Sequence, residues 1–195
     1  MRKLFGKTLH KFWLMIDRIL GTDFEASIAS NVEGNNDYSP ISLLGMFNLY
    51  RLINKYRLYR MSVVDVGCGK GRALWLFYKM GFQKIGGVEY DSNIAEIARR
   101  NMQHLNISEV SIFNKDAAYF DEVDDYELVF LYNPFGQKLM EDFLHLCLNG
   151  HSLQDNKQQY MIYLNPVHHQ TFVDKGFNVI DATGNGKNKV VLYKG

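Results

Sequence analysis

Residues 63–74 read V-V-D-V-G-C-G-K-G-R-A-L and predict a short buried strand, a glycine-rich turn and the start of a helix. The strand stops near Asp65, and the turn carries Gly67, Gly69 and Gly71. Glycines at alternate positions let the backbone approach a ligand closely, with N–H groups and a helix N-terminus facing it. The stretch therefore predicts a loop that binds a ligand through its backbone.

A second strand is predicted at the segment I-G-G-V-E, which ends at Glu89, 22 residues after Gly67. An acid at the end of the strand that follows such a loop can bind the two hydroxyls of a ribose. The loop and the acid together predict a site for a nucleoside cofactor.

The composition is that of an ordinary globular domain. The chain has 195 residues, 47% of them hydrophobic, with a formal net charge of +1. A near-neutral charge counts against nucleic acid as the partner. The two cysteines, Cys68 and Cys147, are too few for a disulfide framework and predict reduced thiols in the cytoplasm. No Cys or His spacing predicts a metal site.

The first 20 residues predict a basic amphipathic helix. Lys7, Lys11 and Asp17 interrupt any apolar run long enough for a signal peptide or a membrane span. The helix either covers the core of its own domain or makes a peripheral contact with a partner or with the inner membrane surface.

Strands and helices alternate along the rest of the chain. Strands are predicted at 62–66, 84–89, 110–113, 128–132, 160–164, 178–181 and 189–193, and helices at 41–59, 72–80, 92–104, 137–148 and 167–175. In the first helix Leu44, Phe47, Leu52 and Ile53 are expected to be buried. The alternation predicts a Rossmann-like, doubly wound α/β fold, with ligands bound beyond the carboxyl ends of the strands. The last two strands predict an antiparallel hairpin.

Three motifs and this hairpin resemble the class I S-adenosylmethionine-dependent methyltransferases. The segment D-V-G-C-G-K-G at 65–71 matches their first motif. Glu89 matches the acid at the end of their second strand, and N-K-D-A at 114–117 matches the motif that follows their third strand. The resemblance covers residues 60–195. It implies a mostly parallel seven-stranded sheet of order 3-2-1-4-5-7-6 with strand 7 antiparallel, preceded by an N-terminal helical extension at 1–59.

The resemblance also implies how S-adenosylmethionine is held. The loop from Asp65 to Gly71, with Cys68 inside it, would admit the methionyl portion. Glu89 would bind the ribose, Asp116 would bind the adenine amino group, and Tyr90 and Ala117 would flank the adenine ring.

The acceptor side is predicted at Asn133-Pro134-Phe135, after the fourth strand. Amine- and amide-methylating relatives carry N-P-P-Y/F there, and their Asn accepts a hydrogen bond from the target nitrogen. This chain has one proline fewer, and a simple tight turn is the alternative.

Tyr38 is predicted either as part of a lid over the cofactor or as an aromatic anchor. Asn165 is predicted at a helix start or at the rim of the pocket. Lys70 and Arg72 are expected to offset the cofactor carboxylate or to face solvent, with an acidic substrate as a further alternative.

A narrower likeness is to a group of bacterial methyltransferase-like proteins. It is carried by D-R-I-L-G-T-D at 17–23, Y-S-P at 38–40 and Y-L-N-P-V-H at 163–168.

Four functions remain open. The first is methylation of a nitrogen on a protein side chain or small amine. The second is O-methylation of a small molecule or surface sugar, with His168 or His169 as general base. The third is a non-catalytic cofactor-binding module tethered through residues 1–20. The fourth is an RNA methyltransferase. The basic stretch 51–60 would then be a candidate RNA face, although a solvated helix side with buried Tyr and Leu is the favoured interpretation.

Overall fold

The computed structural model describes residues 14–25, 39–150 (side chains through 148) and 159–195. The strands are β1 (Val63–Val66), β2 (Ile85–Glu89), β3 (Val110–Asn114), β4 (Leu128–Tyr132), β5 (Tyr160–Leu164), β6 (Asn178–Thr183) and β7 (Val190–Lys194). The helices are Leu43–Tyr56, Arg72–Lys79, Ser92–His104, Gln137–Gly150 and His169–Asp174, and residues 14–20 are also helical. The predicted boundaries agree with these to within one to three residues.

The seven strands form one sheet in the order β3-β2-β1-β4-β5-β7-β6. The first five strands in this order are parallel to one another, whereas β7 runs antiparallel to both β5 and β6. The predicted order and the antiparallel strand 7 are confirmed. Because β1 lies between β2 and β4 and is parallel to both, the loops after these three strands meet at one edge of the sheet.

The strands alternate their side chains between two cores, one on each face of the sheet. Leu128 and Phe130 of β4 join the core on the first face, while Val129 and Leu131 join the other. The helices Leu43–Tyr56, Arg72–Lys79 and Ser92–His104 cover the first face, and Gln137–Gly150 and His169–Asp174 cover the second. The result is the three-layered arrangement expected for strands that are buried on both sides.

The helix Leu43–Tyr56 buries a different face from the predicted one. Ser42 caps it by accepting the Gly45 N–H, and its buried residues are Gly45, Asn48, Leu49, Leu52 and Ile53. Leu52 and Ile53 are buried as predicted, but the prediction for Leu44 and Phe47 is wrong, since both are more than half exposed. The buried stripe begins with a glycine and an asparagine, which a search for apolar residues does not count.

A short N-terminal segment folds onto the first face. Asp17 is buried, and its carboxylate accepts hydrogen bonds from Thr22 Oγ1 and from the backbone N–H groups of Phe24 and Glu25. Phe24 is buried, and the centroid of its ring lies 6.2 Å from the centroid of the Trp75 ring. The rest of the predicted helix at 1–20 and the stretch 26–38, which includes Tyr38, lie outside the described residues. In the part of the chain that is described, no helix is long and apolar enough to cross a membrane.

Candidate functional site

A cavity of about 550 Å³ lies at the carboxyl ends of the central strands. This volume is typical of sites that enclose a small organic ligand. Every described residue of the predicted site except Gly71 lines it: Asp65, Gly67, Cys68, Gly69, Glu89, Tyr90, Asp116, Ala117, Asn133, Pro134 and Phe135. Tyr38 lies outside the described residues, although its near neighbours Ser39, Pro40 and Ile41 line the cavity.

The glycine loop takes the conformation that only glycine adopts easily. Gly67, Gly69 and Gly71 have φ angles of +77°, +53° and +86°. A Cβ atom at Gly67 would also overlap the side chain of Pro134. The loop after β1 and the turn after β4 are therefore in direct contact, so a ligand on the loop lies beside Asn133.

Glu89 is tied to the glycine loop as well as to the cavity. Its carboxylate accepts the Gly69 N–H at 2.9 Å and the Asp91 N–H at 3.0 Å. Burial raises the pKa of Glu89, while the two N–H donors act in the opposite direction. The Glu89 carboxylate, which is predicted to bind a ribose, thus also stabilises the conformation of the glycine loop.

Asp65 is a carboxyl group in a nearly closed environment. It is only 3% exposed, and among the described residues no donor forms a hydrogen bond to its side chain. Burial raises the pKa of Asp65 well above its ordinary value, and the nearby charge of Glu89 raises it further. A carboxylate in this position gains from a bound cation, which supplies the missing opposite charge.

The adenine side of the predicted site is built by the ends of β2 and β3. Asn114 donates from Nδ2 to the carbonyl oxygens of Glu89 and Tyr90, which fixes the backbone beside the exposed Tyr90 ring. Asp116 accepts the Ala118 N–H and so starts a short 3₁₀ turn. A polar side chain, an aromatic ring and the small Ala117 therefore face the same part of the cavity.

On the acceptor side, Asn133 stands at a strained turn immediately after β4. Its φ angle is +44°, which places it in the left-handed region that Asn tolerates better than most residues. Tyr163 of β5 donates a hydrogen bond from its hydroxyl to Asn133 Oδ1 at 3.2 Å. Phe135 lines the cavity but is 97% buried and packs edge-on against Phe143, so the turn is anchored in the core.

Lys70 and Arg72 do not face solvent, so that alternative is wrong, and of the two only Arg72 lines the cavity. Lys70 is 1% exposed and pairs with Asp23 at 2.8 Å, and Arg72 is 4% exposed and pairs with Glu25 at 2.6 Å. The N-terminal segment supplies both carboxylates. The sequence separates each pair by 47 residues, and only the fold brings them together.

Two further residues line the cavity on the side of β5 and β7. Asn165 follows β5 with a φ angle of +54°, and Lys187 lies in the turn between β6 and β7. The rim position predicted as one alternative for Asn165 is confirmed. Lys187 was missed, since nothing in T-G-N-G-K-N at 183–188 distinguishes a ligand-facing lysine from an exposed hairpin turn.

Comparison with known proteins gives one family match. Residues 63–149, from β1 through most of the helix after β4, match the methyltransferase domain family. They include the glycine loop, Glu89, Asp116 and Asn133, and the sheet has the order that the resemblance implied. The match supports an S-adenosylmethionine-dependent methyltransferase enzyme. No curated protein sequence matches this methyltransferase significantly.

Solved structures share the fold of this methyltransferase at low sequence identity. A ribosomal protein L11 methylase from Lactobacillus delbrueckii subsp. bulgaricus is 17% identical, with a TM-score of 0.55 over 78% of this chain and 76% of the other. An S-adenosylmethionine-dependent methyltransferase from Aquifex aeolicus is 15% identical, with a TM-score of 0.58 over 77% and 90%. At these identities the likeness establishes the fold alone.

Proposed function

We propose that this methyltransferase transfers the methyl group of S-adenosylmethionine to a nitrogen of a small amine or a protein side chain. The observation that carries the proposal is the contact between Gly67 and Pro134, which puts the Asn133 carboxamide beside the glycine loop. A carboxamide oxygen next to the methyl donor can accept a hydrogen bond from an acceptor N–H and so direct the nitrogen lone pair.

In this proposal the acidic half of the cavity holds the cofactor. The glycine loop admits the methionyl portion, and Asp65 lies close enough to supply a negative charge for its ammonium group. Glu89 binds the ribose hydroxyls, Asp116 accepts from the adenine amino group, and Tyr90 and Ala117 flank the ring. These roles agree with the lining of the cavity and with the unpaired carboxylate of Asp65.

The chemical step is a direct displacement. When bound, S-adenosylmethionine would supply a methyl group on a sulfonium. The acceptor nitrogen would bond to the methyl carbon as the carbon–sulfur bond breaks, and the electron pair of the broken bond would stay on sulfur as a neutral thioether. The methylated nitrogen then releases its proton to solvent. The protein has to align nitrogen, carbon and sulfur and to keep water away, since the sulfonium is already a good leaving group.

O-methylation has less support because a hydroxyl acceptor needs a general base. Neither His168 nor His169 lines the described cavity, and His169 Nδ1 is paired with the Tyr193 hydroxyl at 2.6 Å. Attachment to a membrane or partner through residues 1–20 stays a prediction. The division of the chain into an N-terminal extension at 1–59 and a methyltransferase domain at 60–195 also stays a prediction, as does the expectation that RNA is a less favoured methyl acceptor.

The test is transfer of a tritiated methyl group to cell extract separated into protein, RNA, lipid with polysaccharide, and small-molecule fractions. We expect label in the protein or small-molecule fraction, and a loss of about 100-fold in Asn133→Ala with unchanged cofactor affinity. Asn178→Ala, on the exposed start of β6, is the matched control. Full turnover in Asn133→Ala would contradict the role of Asn133, and label in RNA would overturn the assignment of the acceptor.

A further inference from the structure

The turn between β6 and β7 is held in place from two sides. The Asn165 N–H donates to the Lys189 carbonyl at 2.9 Å, and Asn48 Nδ2 donates to the Asn188 carbonyl at 2.9 Å. A Cβ atom at Gly184 would overlap the Asn48 side chain, so the turn lies close against the helix Leu43–Tyr56. Lys187 is therefore carried to the rim of the cavity by backbone that is fixed at several points.

The charges around the cavity are distributed unevenly. The acids Asp65, Glu89, Asp91 and Asp116 all lie in or just after β1, β2 or β3. Of the cations that line the cavity, Arg72 pairs with Glu25 and Lys115 pairs with Glu122. Lys187 is the one lining cation that forms no ion pair with a carboxylate of the described residues.

The sheet order separates Lys187 from these acids. From β1 the order runs to β4, β5 and β7, which is three strand spacings, or about 14 Å. Charges separated by more than about 8–10 Å of salt solution are largely screened. The charge of Lys187 is thus left for a group that enters the acceptor end of the cavity.

We propose that the acceptor is a small amine that also carries an anionic group, a carboxylate or a phosphate, which Lys187 binds. This inference rests on the proposed N-methyl transfer. Asn133 holds the nitrogen at the end of β4, and Lys187 binds the anion about two strand spacings away, roughly 10 Å, with Asn165 between them. A concave site with a few convergent polar groups suits a small molecule.

The first test needs no acceptor. The complex with S-adenosylhomocysteine is titrated with inorganic phosphate and, separately, with acetate, while the backbone amides of residues 183–189 are followed by NMR. We expect saturable shifts that disappear in Lys187→Gln and persist in Lys175→Gln, a matched loss of charge at the exposed end of another helix. The stronger of the two anions identifies the preferred group. Absent shifts, or equal shifts in both variants, would overturn the inference.

The second test uses methyl transfer to the fractionated extract. We expect the labelled product to be a small molecule in which mass spectrometry identifies a carboxylate or phosphate group, with KM raised about 10–100-fold in Lys187→Gln and kcat changed less than about threefold. Lys187→Arg should recover most of the affinity. A labelled protein, or a small product that carries neither group, would refute the anionic acceptor. If Asn133→Ala abolishes transfer and Lys187→Gln has no effect, only the anionic acceptor is refuted. If Asn133→Ala retains full transfer, the proposed function itself is refuted.

Discussion

The Tyr163 hydroxyl lies between two sets of partners at the end of β5. Backbone N–H groups of Val167 and His168 point at it, and it donates to Asn133 Oδ1. Since the hydroxyl accepts from the backbone, its own proton is directed to Asn133. Burial nevertheless raises the pKa of Tyr163 to about 12, so the proton stays in place at neutral pH. Tyr163 is therefore a positioning residue for the Asn133 carboxamide.

Replacing Tyr163 by Phe should slow methyl transfer about tenfold without changing cofactor affinity, because one hydrogen bond that orients Asn133 is lost. The phenyl ring keeps its contact with Phe172, whose ring centroid lies 5.2 Å from that of Tyr163. Steady-state kinetics and calorimetric titration of S-adenosylmethionine measure the two effects. In an Asn133→Ala background Tyr163→Phe should have no further effect on the rate, and independent losses in the two variants would contradict the coupling.

At the scale of elements, the N-terminal segment 17–25 works as part of the cofactor loop. Asn101 joins the two: its Oδ1 accepts the Asp23 N–H and its Nδ2 donates to the Lys70 carbonyl. The ion pairs Lys70–Asp23 and Arg72–Glu25 complete the connection. The loop between β1 and its helix is thus held by a piece of chain that lies far away in sequence.

Removing one partner of the Arg72–Glu25 pair should be costly, because both side chains are more than 90% buried. Glu25→Ala leaves a buried cation, and we expect it to destabilise the fold by about 3–5 kcal/mol and to weaken cofactor binding. The double variant Glu25→Ala with Arg72→Met should recover much of the stability, since no unpaired charge remains. Thermal unfolding and cofactor titration check both effects, and an unchanged Tm in Glu25→Ala would refute the role of the pair.

At the scale of the whole molecule, the site lowers the stability of the fold. Asp65 and Glu89 both have raised pKa values, chiefly because they are buried. The folded protein therefore holds their protons more tightly than the unfolded chain does. By linkage, stability falls as pH rises from about 4 through the raised pKa values, and below about pH 4 the cost is absent because both states are protonated.

Asp65→Asn removes most of this cost and should raise Tm at pH 7, with a smaller gain at pH 5. The same change should weaken S-adenosylmethionine binding about 10–100-fold, because the carboxylate no longer offsets the charge of the ligand. Scanning calorimetry between pH 5 and 8 and cofactor titration measure the trade-off. A lower Tm for Asp65→Asn at pH 7 would show that Asp65 stabilises the folded state.

Much of the fold could be predicted because the relevant signals are local. The buried strand before Gly67, the acid at the end of β2 and the Asn-Pro turn after β4 each depend on a few consecutive residues. Parallel strands bring such ends together at one edge of the sheet. The helix Leu43–Tyr56 shows the limit, since its buried face includes Gly45, which lies beside Leu164 of β5, and Asn48, which bonds the Asn188 carbonyl in the turn before β7.

Local motifs were enough to predict the cofactor loop and the turn that carries Asn133, and the resemblance of these motifs to a known family implied the strand order. Only the tertiary structure decided that Lys70 and Arg72 are buried in ion pairs, that Tyr163 orients Asn133, and that Lys187 lines the acceptor end of the cavity. The physical reason is distance along the chain. Local conformation depends on neighbouring residues, whereas these contacts join segments that are 30 to 140 residues apart, and the tertiary fold brings the segments together.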